Sequence, residues 1–422
     1  MKNYKIITGF VLLLLIIIIA GCAKPKVVVK EPVPVPHEEP VRPHEAESPP
    51  FFPFSPKVDR YSIGCVLPLS GPHAELGNKA LDAVLLSART FDERYRSPWK
   101  IIAQDSRGLP QETKAAIEYL ANIENVIAII AITGTAEAAD AAQEADKWGV
   151  PLILITSKEG VSLLSEYVFQ HFLTPRQQVR AVVQYALNDL NNAIFAILYP
   201  ADDYGEEMMR IFHEEAARVG GKVERSVSYD INQTDFTKEI DMVTGNQVSL
   251  ARREAAKKPE IKPKVFIDFE ALFIPDSHRR VRMIAAQLAF FDVMGINLLG
   301  TSLWNSPHLL EKGADYLEGA VFVDSFFPYT FYPEANDFID IYYTAYSRDP
   351  ENIEALAYDT AGILFTVIEK HGVQNRQELV ASLIAMDYYR GATGTTSFGY
   401  DRVSQKTPFV LRVKKGKLEQ VR

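Results

Sequence analysis

Only a few residues of this 422-residue chain stand where their chemistry would be used. Cys22 is one. It follows Ile19-Ala20-Gly21 at the end of an apolar run, and small residues in that place mark a cleavage point. A second group is Thr133-Gly134-Thr135, where a run of buried-strand character turns into a helix. N–H groups at a helix start attract anions, and hydroxyls add donors, so Thr133 and above all Thr135 are candidates to hold one. A threonine there also caps a helix that binds nothing. Thr156 and Ser157 follow the next strand and can add donors to the same rim.

The signatures of common enzymes are missing. The eight histidines stand at 37, 44, 73, 171, 213, 278, 308 and 371, without a His-Glu-x-x-His pair. There is no Walker loop, no Gly-x-Gly-x-x-Gly after a strand and no Gly-x-Ser-x-Gly elbow. No metal, no cofactor and no catalysis are therefore expected. The formal net charge is −9, and more acidic once Lys2 and Lys5 leave with the leader. Such a body is a poor partner for nucleic acid or an anionic lipid surface. Cys65, the second of two cysteines, lies in Ile63-Gly64-Cys65-Val66-Leu67 and reads as a small buried hydrophobe.

The run Ile6 to Ala20 follows Met1, Lys2 and Lys5 and falls short of the ~20 residues that span hydrocarbon. Its last four residues, Ile19 to Cys22, resemble a lipobox. The resemblance implies a signal peptide over 1–21 and lipidation of Cys22. The chain is then tethered to a membrane and faces the periplasm. Ala23 in place of an aspartate implies the outer membrane where the envelope has two. Ten of the 25 prolines fall between Ala23 and Lys57. That composition favours an extended, semi-rigid spacer, at ~3.1 Å per residue reaching roughly 110 Å.

From Val58 strands alternate with amphipathic helices. Tyr61 to Leu69, Lys100 to Ala103, Val126 to Ile132 and Pro151 to Ile155 read as strands, separated by helices at Leu76 to Phe91, Gln111 to Asn122 and Ala136 to Trp148. The rhythm restarts at Tyr167-Val168-Phe169. Strands Ile194 to Tyr199, Lys222 to Tyr229, Val265 to Asp268 and Ile296 to Leu299 follow, with helices Arg176 to Leu190, Tyr204 to Val219 and His278 to Val293 among them. Two such βαβ sets imply a bilobed α/β protein with ligands in the cleft between lobes. Helices Glu334 to Tyr346 and Ile353 to Lys370 would return to the first lobe. The basic stretch Gly245 to Lys264 is either a docking element or a solvated extension.

Tyr61 to Pro72, ending in Ser70-Gly71-Pro72, together with Asp203-Tyr204-Gly205, Ala357-Tyr358-Asp359 and Gly391-Ala392-Thr393-Gly394 with Phe398, resembles the leucine-binding-protein family. The likeness runs from Arg60 to the end. It implies the type I periplasmic-binding-protein fold, two parallel-sheet lobes joined by three crossovers near Phe172, Pro328 and Gly391. Lobe 1 would comprise 58–172 and 328–392, lobe 2 173–327 and 393–422, behind a signal (1–21) and the lipidated Cys22 with its linker (22–57). A narrower stretch, Ile274-Pro275-Asp276-Ser277 through Phe322 to Phe327, resembles penicillin-binding protein activators, lipoproteins that stimulate peptidoglycan synthases.

Amino-acid-binding members hold a carboxylate at a helix start with hydroxyls and an ammonium with a carboxylate and aromatic faces. The resemblance thus implies ligand-binding roles for Ser70, Thr133, Thr135, Thr156 and Ser157, with Tyr204 as a wall. The pattern then departs from the family. Leu76 replaces an aromatic, Lys158-Glu159-Gly160 follows Ser157 in place of a further hydroxyl, and Thr301-Ser302 stands where a clasping Glu is usual. Asp268 and Glu270, at the end of a strand as read here, are candidates to replace that acid, and Ser302 to add a hydroxyl. Taken with the eroded clamp and the long tether, the Ile274 to Phe327 likeness implies a regulator of peptidoglycan synthesis that binds a penicillin-binding protein. The alternative is the substrate-binding component of an ABC transporter, serving a permease with amino acids or related small polar solutes.

Overall fold

The computed structural model describes residues 58–90, 96–257, 260, 264–311 and 313–422. The signal segment, Cys22 and the linker through Lys57 lie outside these, as do Lys258 and Lys262 of the basic stretch. Among the described residues no helix is long and apolar enough to cross a membrane.

The first sheet is built from β1 (Asp59–Leu67), α1 (Ala74–Ser87), β2 (Lys100–Asp105), α2 (Pro110–Glu118), β3 (Val126–Ile132), α3 (Ala138–Trp148), β4 (Leu152–Ile155) and β5 (Val168–Gln170). Its strands are parallel in the order β2-β1-β3-β4-β5. The apolar run of β3 occupies the centre, with every residue buried. Side chains alternate across the sheet. Ile63, Cys65 and Leu67 face one helical layer while Val66, Ile129 and Ala131 face the other. β5, where the rhythm restarts in sequence, is the edge of this first sheet and pairs with β4.

The second lobe runs α4 (Pro175–Asn188), β6 (Ile194–Pro200), α5 (Asp203–Arg218), β7 (Lys222–Tyr229), α6 (Thr237–Val243), α7 (Gln247–Lys257), β8 (Ala271–Phe273), α8 (His278–Phe290), β9 (Asn297–Leu299) and β10 (Val321–Asp324). The chain then returns to the first lobe as α9 (Pro333–Tyr346), α10 (Asn352–Lys370) and α11 (Arg376–Ile384). Phe338, Ile363 and Leu379 of these helices join Ile63 and Leu67 in one core. A small antiparallel sheet of β11 (Tyr389–Gly391), β12 (Gly394–Phe398) and β13 (Ser404–Lys406) follows. Finally β14 (Phe409–Lys414) and β15 (Lys417–Gln420) extend the second sheet, giving the order β15-β14-β10-β9-β8-β6-β7.

One strand is not where the apolar pattern puts it. Val265 to Asp268 is irregular, with Phe266 67% exposed, and β8 begins at Ala271. The segment Ala271-Leu272-Phe273 is the one buried on both faces. Most of the basic stretch forms α7, which packs through Val248 and Ala251 and leaves Arg252, Arg253 and Lys257 exposed.

Polar contacts tie the segments that pass between sheets. Asp359 of α10 accepts hydrogen bonds from the Ala392 and Thr393 N–H groups at 2.8 and 2.7 Å and from the Thr393 hydroxyl at 2.5 Å. Gly391 is needed there, because a Cβ would lie 2.2 Å from Asp359 Oδ1. Asp324, at the end of β10, accepts from Asn305 Nδ2 at 2.8 Å and also from Asn352 Nδ2 in the first turn of α10. His171, after β5, sits 2.7 Å from the Thr360 hydroxyl of the same helix.

Candidate functional site

In a parallel sheet the loops that can hold a ligand leave the carboxyl ends of the strands. On the first sheet these are the segments after β1, β2, β3 and β4. After β1, the Ser70 hydroxyl donates to Asp105 Oδ2 at 2.5 Å, and the Leu69, Ser70 and Arg107 N–H groups donate to Oδ1 at 2.9, 3.2 and 2.9 Å. Burial pushes the Asp105 carboxyl up, but these four donors outweigh it and hold the pKa below the usual value. The hydroxyl of Ser70 is thus engaged in fastening two loops. Asp105 has no motif of its own; an acid at a strand's carboxyl end was its only sequence signal.

After β3 the structure alters the expectation for Thr135. The helix begins at Ala138, with Glu137 as its N-cap, so Thr135 and Ala136 lie in an exposed turn ahead of it. Glu137 is buried and places a carboxylate at the helix start, where the macrodipole favours an anion. A ligand carboxylate at the same point would meet a like charge. Thr133 is 7% exposed, and neither its Oγ1 nor Glu137 Oε2 finds a hydrogen-bond partner among the described residues. Gly108, after β2, borders Glu137 Oε1, with 3.5 Å from its Cβ position. Thr156 is buried and its Oγ1 accepts from the Lys158 N–H at 3.3 Å, while Ser157 is exposed. Gln170 pins this loop by donating from Nε2 to the Thr156 and Lys158 carbonyls at 2.7 and 2.9 Å.

On the second sheet the structure brings Tyr204, Thr301 and Ser302 together after β6 and β9. Asp202 caps α5 by accepting from the Gly205 N–H at 2.8 Å, which sets Tyr204 in the first turn. The Tyr204 hydroxyl lies 3.4 Å from Thr301 Oγ1, and burial pushes its pKa up to about 12. The Ser302 N–H donates to Gln178 Oε1 at 3.0 Å. Asp276, after β8, accepts from the Tyr229 hydroxyl at 2.6 Å and pairs with Arg280 at 2.8 Å. These polar groups largely satisfy one another. Among the described residues no hydrogen bond joins Thr133, Thr135, Thr156 or Ser157 to Tyr204 or Ser302.

Asp268 and Glu270 do not belong to this rim. Because β8 starts at Ala271, both precede the strand and lie at the opposite edge of the sheet. Glu270 Oε2 accepts from the Ala193 and Ile194 N–H groups at 2.6 and 3.0 Å, at the start of β6, and Asp268 pairs with Arg225. They are structural acids and do not replace the clasping Glu.

A cavity of about 870 Å³ opens beside the crossovers, between the 159–163 loop, α4 and β12–β13. None of the nine residues expected from sequence to touch a ligand lines it.

A family model described as periplasmic binding protein matches residues 60–417. No curated protein matches the chain. Among solved structures, a leucine-binding protein from Thermotoga maritima is 20% identical with a TM-score of 0.62, over 86% of this chain and 97% of that one. A branched-chain amino acid transporter substrate-binding protein from Streptococcus pneumoniae, in complex with isoleucine, is 21% identical with a TM-score of 0.62, over 85% and 97%. An ABC transporter solute-binding protein from Rhodopseudomonas palustris, in complex with 3,4-dihydroxybenzoic acid, is 18% identical with a TM-score of 0.64, over 86% and 95%. At these identities the likeness is one of fold.

Proposed function

This chain belongs to the periplasmic binding protein family, and from that premise we propose that it is a solute receptor of an ABC transporter that holds an amino acid or related small polar molecule between its lobes. The observation that carries this reading is the pair of orphaned polar atoms on the first-lobe rim. Thr133 Oγ1 and Glu137 Oε2 are buried without a partner among the described residues. A buried polar group left unpaired costs about 1–3 kcal/mol, so such a pair calls for a ligand or ordered water. Glu137 suits an ammonium group and Thr133 either a donor or an acceptor. The acid that relatives supply from the second lobe would then come here from the first. The solved relatives named above, with amino acids and an aromatic acid among their ligands, support the same reading.

The test is calorimetry with each amino acid. Glu137→Gln is expected to weaken the best ligand at least tenfold with little change in the unfolding midpoint. An unchanged affinity would remove Glu137 from the site, and no binding by any amino acid would sink the reading. Cys22, in this proposal, carries the lipid and the 22–57 segment is the tether, a point that intact mass measurement of the exported chain decides.

A second reading, regulation of a peptidoglycan synthase, draws support from the second-lobe rim. There the Thr301 hydroxyl and the Ser302 N–H are occupied by Tyr204 and Gln178. Recovery of a penicillin-binding protein in a pull-down from envelope extract is the expected result under that reading, and its absence counts against it.

A further inference from the structure

The 870 Å³ cavity has polar atoms that the fold itself leaves unanswered. Gln170 and Ser162 both line it, both are fully buried, and neither Gln170 Oε1 nor Ser162 Oγ has a hydrogen-bond partner among the described residues. The orientation of the Gln170 amide is fixed, because its Nε2 donates to two carbonyls. The free atom is therefore an acceptor that only an N–H or O–H can satisfy. Charges of both signs border the space. Glu159 and Asp401 each spend one carboxylate oxygen on a backbone N–H, of Arg176 and Val403 respectively. Arg176, Arg180 and Arg422 also line it, whereas the Lys406 ammonium turns to the other face of the small sheet, donating to the Thr393 and Thr396 hydroxyls at 2.5 and 2.7 Å. Among the described residues no aromatic side chain lines the cavity. Its volume lies toward the upper end of the ~300–1,000 Å³ usual for small-ligand sites, more than one amino acid fills.

We propose that this cavity is a second binding site, separate from the interlobe rims, for a short zwitterionic peptide. Peptide N–H groups would reach Gln170 and Ser162, the ammonium would lie toward Glu159 and Asp401, and the carboxylate toward Arg180 and Arg422. The walls come from the first-sheet loop 159–163, from α4 and β14 of the second lobe, and from the small third sheet. A bound peptide therefore touches both lobes.

The full chain in detergent, titrated calorimetrically with the tripeptide Lys-Ala-Glu and, separately, with isoleucine, tests the assignment. Lys-Ala-Glu is expected to bind, and Ser162→Ala to weaken it about five- to tenfold, the loss of one hydrogen bond. Ser162→Ala removes a buried hydroxyl that has no partner among the described residues, so its unfolding midpoint should equal or exceed the parent's. Glu137→Gln should leave the tripeptide affinity unchanged. Absence of tripeptide binding, equal affinity in the parent and Ser162→Ala, or loss of the tripeptide in Glu137→Gln would each overturn the proposal. The isoleucine titration reports on the interlobe reading alone, so either can fail without the other.

Discussion

Glu137 Oε2 lies 2.9 Å from the position that a Cβ on Gly134 would occupy, so the carboxylate holds its place only because residue 134 has no side chain. The two residues face each other across the turn that leads from β3 into α3. Gly134→Ala would push the carboxylate aside without touching the sheet. The expected result is a loss of ligand affinity of tenfold or more with a stability change of about 1 kcal/mol or less. Paired calorimetry and denaturant unfolding check this; unaltered binding would detach Glu137 from ligand recognition.

The two lobes share a packing device. A Cβ on Gly77 would lie 2.2 Å from the Pro68 carbonyl oxygen, and one on Gly205 would lie 2.0 Å from that of Pro200. In each case a helix starts against the end of the first strand of its sheet, and the obstacle is backbone. Gly205→Ala should cost about 3 kcal/mol, the upper range for overpacking. A denaturant midpoint near the parent's would contradict that geometry.

Glu215 is 2% exposed and lies among Arg176, Arg180 and Arg218. Burial pushes its carboxyl up, but hydrogen bonds and charge from these arginines prevail and hold it at about 2. Glu215→Gln leaves the arginines without their counter-charge and should cost about 3 kcal/mol at neutral pH. A carboxylate with a depressed folded-state pKa contributes its full stability above the unfolded value and loses it as pH falls toward the folded one. The gap between parent and variant should therefore narrow between about pH 4.5 and 2, and a constant gap would refute the assignment.

Asp324 behaves in the opposite sense. Burial raises its carboxyl to about 7, against the pull of N–H donors from Asn305, Ser325, Phe326 and Asn352. The folded chain holds that proton more tightly than the unfolded one. Stability at this group is thus greatest below about pH 4 and declines as pH rises to about 7. Asp324→Asn should flatten that decline in thermal unfolding across the same range, and an unchanged slope would show that the group does not titrate there.

Much of the frame is legible because burial leaves a strong mark on composition. The seven apolar residues of β3 and the Gly-Thr-rich turn after it could hardly sit anywhere but the centre of a parallel sheet. Asp359 and the Gly391 to Thr393 stretch, far apart in sequence, are a single contact: one buried carboxylate and the turn it holds. Val265 to Asp268 misleads because four residues with alternating apolar character suit an irregular edge as well as a strand, and only the burial of Ala271 to Phe273 decides. Asp268 and Glu270 therefore precede β8 instead of following a strand. Glu137 carries no such mark, because nothing local tells a buried N-cap acid from a solvated one. Gln170 and Ser162 were equally silent, since their unanswered atoms become visible only when α4, the 159–163 loop and the third sheet enclose a space.

Cys65, at the heart of the first sheet, is fully buried and unpaired, with its thiol pushed up to about 12 by burial. A thiol so protonated is almost inert toward disulfides and alkylating reagents. It reacts only when the β1 neighbourhood opens, which makes its labelling rate a native clock for unfolding of the first lobe. The folded body also owes nothing to redox conditions. It should reach the same structure in a reducing cytosol as in an oxidising envelope, so export must win its race against premature folding by other means.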